Sequence, residues 1–178
     1  MRDIKNLKGS SLRWLRLGWI KSSYELMDDE GETYATLDWK GVFSEKALLS
    51  TAYGDYELRW RGLIRRHVPI VDTASGQEVG RLNLGIRDSG TFLIESGTRF
   101  RFKCTSMWRS RFAVLDDVGD TVATLGFTGW LSIGRTGGKV WLGPAAIRGR
   151  ELLVLIAVGW YAAVVISRES AAAAAAGG

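Results

Sequence analysis

The chain has almost none of the residues that build metal or disulfide chemistry: one cysteine, Cys104, and one histidine, His67, in 178 residues. A lone cysteine excludes an intramolecular disulfide framework, and the pair excludes a zinc site made of several Cys and His ligands. A reducing compartment is the expected setting. Proline is equally scarce, at Pro69 and Pro144 only. The first ten residues mix Arg2, Lys5 and Lys8 with polar neighbours and lack the apolar run of about 7 to 15 residues that a secretory signal needs. The expected location is cytoplasmic, with association to a membrane left open. A net charge of +5 permits an anionic partner without demanding one.

What is abundant is apolar and aromatic. Hydrophobic residues make up 46% of the chain and eight are Trp, which argues for a packed body of one domain over residues 1–170. The Ala/Gly tail, residues 171–178, carries no chemistry of its own.

Two segments, Tyr24–Leu37 and Phe112–Leu125, agree at about half of their positions, and a looser copy spans Ile70–Leu82. Their turn glycines, Gly31, Gly76 and Gly119, lie roughly 44 residues apart, a spacing that suggests a repeat architecture. Each copy is an apolar stretch, an Asp/Gly turn and an alternating stretch, which predicts a β-hairpin. In the first copy Thr33, Ala35, Leu37 and Trp39 fall on one face, and Glu32, Tyr34, Thr36 and Asp38 on the other. Further strands are expected at Ala47–Tyr53, Tyr56–Arg61, Gly90–Glu95, Thr98–Cys104, Met107–Leu115, Trp130–Ile133 and Lys139–Leu142, for a total of about twelve. A propeller needs at least about four blades, and only three units are visible. Closure into one antiparallel barrel leaves no strand edge unpaired.

From Leu152 to Ile166 the chain is apolar without interruption, and Arg148, Arg150 and Arg168 flank the run. A helix apolar on every side is buried in a core or spans a bilayer. The run falls between the lengths typical of core helices and of spans. A barrel much larger than eight strands needs something to fill it, so the favoured reading is a plug over about residues 150–168, with Gly143-Pro144 as its entry. A tail anchor and an exposed partner-binding helix are the alternatives.

A meander with the turns Asp28-Asp-Glu-Gly31 and Asp116-Asp-Val-Gly119, closing on a very apolar helix, resembles the tubby-like C-terminal superfamily, which includes LURP-one-related proteins and phospholipid scramblases. The resemblance runs over roughly residues 10–168 and implies a twelve-stranded barrel around a central helix; in tubby proteins it implies phosphoinositide binding. The chain departs from the scramblases in having no cysteine-rich stretch and no acidic calcium-binding segment before the helix. Residues 134–150 carry only basic charges there. No phosphoinositide-site residue can be matched by position.

The sharpest candidate site is Thr98–Cys104, where period-2 geometry turns Phe100 and Phe102 inward and aligns Arg99, Arg101 and Lys103 outward. The next strand would add Arg109 and Arg111 outward, with Trp108, Phe112 and Val114 inward. Such a row attracts anionic lipid, against the plainer reading of a solvated barrel exterior. Arg59, Arg61, Arg65 and Arg66 form a second basic cluster of the same kind. Nucleic acid is less favoured, because alternation sends most aromatics inward and leaves few stacking platforms.

The acidic turns lack the ligand spacing of an EF-hand loop and read as turn formers. Residues 129–136 approach a P-loop, but Arg135 stands where Lys is required and a strand follows in place of a helix. His67 has no partner by motif, and Cys104 shares the Phe100/Phe102 face as a small apolar residue. No nucleophile, base and oxyanion donor can be assembled. The expectation is a non-enzymatic binding module without cofactor, metal or identified small-molecule substrate. It would contact an anionic phospholipid surface or, as the alternative, act as a protein-interaction scaffold or a tail-anchored protein.

Overall fold

The computed structural model describes residues 1–7, 9–17, 23–41, 44–62, 66–85, 88–107, 110–128, 137–147 and 149–176. They form a short 3-10 turn at Ile4–Asn6, twelve strands and one helix. The strands are β1 (Ser11–Leu17), β2 (Ser23–Met27), β3 (Thr33–Trp39), β4 (Lys46–Thr51), β5 (Gly54–Arg59) and β6 (His67–Asp72). They continue as β7 (Glu78–Leu84), β8 (Gly90–Ile94), β9 (Arg99–Cys104), β10 (Arg111–Leu115), β11 (Thr121–Thr128) and β12 (Gly137–Leu142). Each pairs with its sequence neighbours, and β1 closes on β12, Leu12 opposite Val140. The helix α1, Arg150–Ala176, threads the barrel.

Because every connection reverses the chain, the barrel has two ends. The Asp/Gly turns after β2, β6 and β10 share one, the turn end, with the start of α1. The connections after the odd-numbered strands share the other, the exit end, where α1 leaves.

The repeat is structural. In each copy an Asp carboxylate closes the turn on backbone N–H groups: Asp28 accepts from Glu30 and Glu32 at 3.0 and 2.9 Å, Asp72 from Ala74 and Ser75 at 3.0 and 2.8 Å, and Asp116 from Gly119 and Asp120 at 2.8 and 2.7 Å. The glycine that completes each turn has positive φ, +87° at Gly31, +70° at Gly76 and +104° at Gly119, a region open to Gly without penalty. A bulge follows each turn, shifting register at Leu26/Met27, Ile70/Val71 and Val114/Leu115.

The bulge corrects one expected face. Ala35, Leu37 and Trp39 are buried as the alternation predicts, but Tyr34, expected opposite them, is buried too. As the extra residue of the bulge it turns inward, and its hydroxyl donates to Asp28 at 2.8 Å. Burial and that hydrogen bond push the Tyr34 hydroxyl up to about 12.

Strand boundaries also shift. Ser11–Leu17, absent from the expected strands, carries a cation on each face, Arg13 and Arg16, yet supplies the closing pair of the barrel. Trp130–Ile133 lies outside the described residues. The strand expected from Met107 starts only at Arg111, because the Ser106 hydroxyl holds a turn by accepting from Ser110 and Arg111 N–H at 2.8 and 3.0 Å. The helix begins at Arg150, as expected, with Gly143-Pro144 ahead of it, and runs on to Ala176, eight residues past the expected end at 168, since alanine favours helix more than any other residue.

α1 is long and apolar enough to cross a membrane by length and composition, but 83% of its most apolar stretch is buried in the barrel. Aromatic side chains grip it. Trp160 stacks on Trp14 at 5.9 Å and 9°, takes Tyr24 edge-on at 5.9 Å and packs on Phe127 at 4.7 Å. Tyr161 stacks on Trp39 at 5.5 Å; its hydroxyl accepts from Trp60 N–H at 2.8 Å and donates to the Glu45 carbonyl. Gly159 lets the wall close in: a β-carbon there would meet Leu125 Cδ1 at 2.8 Å.

Candidate functional site

The outer wall over β9–β12 holds the predicted basic row. Phe100 and Phe102 are buried, while Arg99, Arg101 and Lys103 are exposed. Arg111 is exposed on β10, whose Ala113 lies opposite Lys103. Arg109 lies outside the described residues, as do Arg65 and Trp108. Of the second cluster, Arg59 and Arg61 are exposed, but Arg66 is tied into the fold. It pairs with Asp88 at 3.0 Å and Glu169 at 3.4 Å, and its guanidinium lies over the Trp60 ring at 5.7 Å.

The sequence missed one part of this wall. On β12, Val140 is buried and Lys139 and Trp141 face out, the same alternation that turned Arg99 and Arg101 outward. Trp141 lies flat on β11: a β-carbon at Gly126 would meet its ring at 2.9 Å. The Arg111 guanidinium lies 6.0 Å from the centre of that ring. Trp141 remains 40% exposed, so arginine and indole form an open ledge on the wall. Lys139 sits opposite Arg13 of β1, which extends the basic surface across the closure. With strands about 4.8 Å apart, the surface from β9 to β1 spans roughly 19 Å.

The wall is unneutralised. All 19 Asp and Glu side chains belong to described residues, and none forms an ion pair with Arg99, Arg101, Lys103, Arg111 or Lys139. Among the described residues ion pairs join Arg2 to Glu32, Lys46 to Glu57, Arg81 to Glu78, and Arg66 to Asp88 and Glu169. Arg101 reaches toward the Asp116–Asp120 turn but stops at the Gly119 backbone.

Each Asp/Gly turn spends one carboxylate, that of Asp28, Asp72 or Asp116, on its own backbone. Burial opposes ionisation of Asp28, but the N–H groups of Glu32, Glu30 and Gly31 and the Tyr34 hydroxyl outweigh it and hold the carboxyl below its ordinary range. Hydrogen bonds from Ser75 backbone and hydroxyl lower Asp72 likewise. Among the described residues no three His, Cys, Asp or Glu side chains cluster as metal ligands would. Cys104 is half-buried, with its thiol directed to the Ser106 carbonyl at 3.4 Å. His67 opens β6 and bridges Arg61 through the backbone. A cavity of about 300 Å³ at the turn end is lined by Val79, Ile94, Glu95, Ser96, Arg150, Glu151 and Val154; the Ser96 hydroxyl pairs with that of Thr98 at 2.9 Å and not with a carboxylate. No protein-family model, curated protein or solved structure matches the chain.

Proposed function

We propose that this barrel is a non-enzymatic module that binds an anionic membrane surface through its β9–β12 wall. The observation that carries the reading is the row Arg99, Arg101 and Lys103, exposed and without a carboxylate partner in a chain whose Asp and Glu all lie among the described residues. Each basic residue near a charged bilayer contributes about 1 kcal/mol. Trp141 adds an amphipathic ring of the type that settles at lipid headgroups, and Arg111 braces it. The resemblance to tubby-like proteins agrees with such a role. The surface a tail anchor would need is covered inside the barrel. A protein-interaction scaffold is the second reading, favoured by the Trp141–Arg111 ledge, because Trp and Arg are the residues that most often anchor protein interfaces.

Co-sedimentation with phosphatidylcholine vesicles carrying phosphatidylserine tests the reading. The triple variant R99E/R101E/K103E should weaken binding by at least about a hundredfold, from three lost contributions of about 1 kcal/mol each. Binding by the unaltered protein should fall as salt rises. Vesicle binding that ignores both charge reversal and salt would overturn the lipid reading. Capture of a stable protein partner without vesicle binding would favour the scaffold.

A further inference from the structure

The inward face of β1 ends on a charge. Leu12 and Trp14 are buried, and two residues on Arg16 continues the same face, half-buried at the exit end and opposite Tyr24 of β2. Tyr24 meets Trp39 edge-on at 5.5 Å, and over the Trp39 ring, 5.0 Å from its centre, lies the guanidinium of Arg168. Arg168 stands two residues beyond Ile166, the last buried residue of α1. This chain of contacts brings a cation from the wall and a cation from the plug to one rim.

Among the described residues, no acceptor is paired with Arg16, with Arg168 or with the Trp39 indole. Arg16 Nε is shut off from water and makes no hydrogen bond. The indole N–H of Trp39, a residue only 7% exposed, likewise has none. No carboxylate pairs with either arginine, although all 19 Asp and Glu lie among the described residues. Asp88 and Glu169, which also lie toward this end, are held by Arg66. Burial above all, and then the charge of Arg16, weaken the hold of Arg168 on its proton, against Tyr24 and Tyr161, which strengthen it. Two like charges drawn partly out of water without a counter-ion destabilise a fold, and the turn end, where the Asp-rich loops lie, offers them nothing. An anion seated between them would supply the acceptor that both arginines need. Two guanidinium forks match the oxygens of a phosphate and its double charge; a single carboxylate would neutralise only one of them.

We propose that Arg16 and Arg168, with the indole N–H of Trp39, form a phosphate-binding site at the exit rim of the barrel, separate from the basic outer wall. The phosphate is either free or carried on a lipid headgroup. In the second case the barrel would meet the membrane with its exit end as well as its wall.

Calorimetric titration of the full chain with inorganic phosphate, against chloride at equal ionic strength, tests the site. Phosphate should bind where chloride does not, and Arg16→Gln or Arg168→Gln should each weaken it about tenfold or more. Without phosphate, Arg16→Gln should melt no lower than the unaltered protein, because it removes an unpaired charge; a purely structural arginine would lower the melting temperature. Since Arg168 covers Trp39, its variant can misfold, and Arg16→Gln then carries the test alone. The triple variant R99E/R101E/K103E should keep its phosphate affinity, which separates failure of this site from failure of the wall. Phosphatidylcholine vesicles carrying phosphatidic acid distinguish the source: competition between these vesicles and inorganic phosphate marks a lipid-borne group, and its absence marks free phosphate. Heat equal to that of chloride, or phosphate affinity unchanged in Arg16→Gln, would overturn the proposal.

Discussion

A chain ended at Ile147 should fail to fold. Without α1, the inward faces of the barrel, among them Trp14, Leu26, Leu37, Leu49, Phe92 and Phe112, would surround a space that water must fill. The helix itself buries everything from Leu152 to Ile166. A large apolar side chain contributes about 1.5–3 kcal/mol when fully buried, so losing even five such side chains removes about as much as the whole stability of a domain, roughly 5–15 kcal/mol. The shortened chain should show no cooperative unfolding transition by circular dichroism and should aggregate. A shortened chain that melts cooperatively would mean that the helix is an appendage and the barrel sufficient.

The second large effect is expected at Trp160. Its ring meets Trp14, Tyr24 and Phe127 at once, and the wall is cut to fit it, since a β-carbon at Gly138 would meet the ring at 2.5 Å. Trp160→Ala should cost about 3–5 kcal/mol, as large-to-small aromatic substitutions in cores do. For a chain of this size that lowers the melting temperature by about 10 °C. Trp141→Ala, on the outer wall, should change stability by less than about 0.5 kcal/mol. Thermal unfolding of the two variants side by side checks the contrast, and equal losses would show that the plug is not gripped as described.

The parts of the fold legible in the sequence were those set by local chemistry. Asp28, Asp72 and Asp116 with their turn glycines mark hairpins because carboxylate and positive-φ glycine act within a few residues. The run Leu152–Ile166 marks a helix that leaves water because it carries no charged residue on any face. Arg99, Arg101 and Lys103 were legible as an outward row because Phe100 and Phe102 between them fix the phase.

What escaped depends on contacts between distant segments. β1 hid behind Arg16, a cation on an inward face that makes sense only at a barrel rim beside Arg168. Tyr34 turns inward because a bulge adds a residue, and a bulge is defined by the partner strand. Trp141 follows the readable alternation of Lys139-Val140-Trp141, but its ledge needs Gly126 on one neighbouring strand and Arg111 on the next. Arg66 looked like one more surface cation, and its partners Asp88 and Glu169 are 22 and 103 residues away along the chain.

The central claim, that the apolar helix is the core of the barrel, is tested most directly by amide hydrogen exchange on the full chain in detergent-free buffer. The account predicts that amides from Leu152 to Ile166 exchange only through global unfolding, as slowly as the slowest strand amides, while the exposed turns at Ala171–Ala176 exchange far faster. Exchange across Leu152–Ile166 well ahead of the strands, or a protein that stays dispersed only in detergent or lipid, would contradict it.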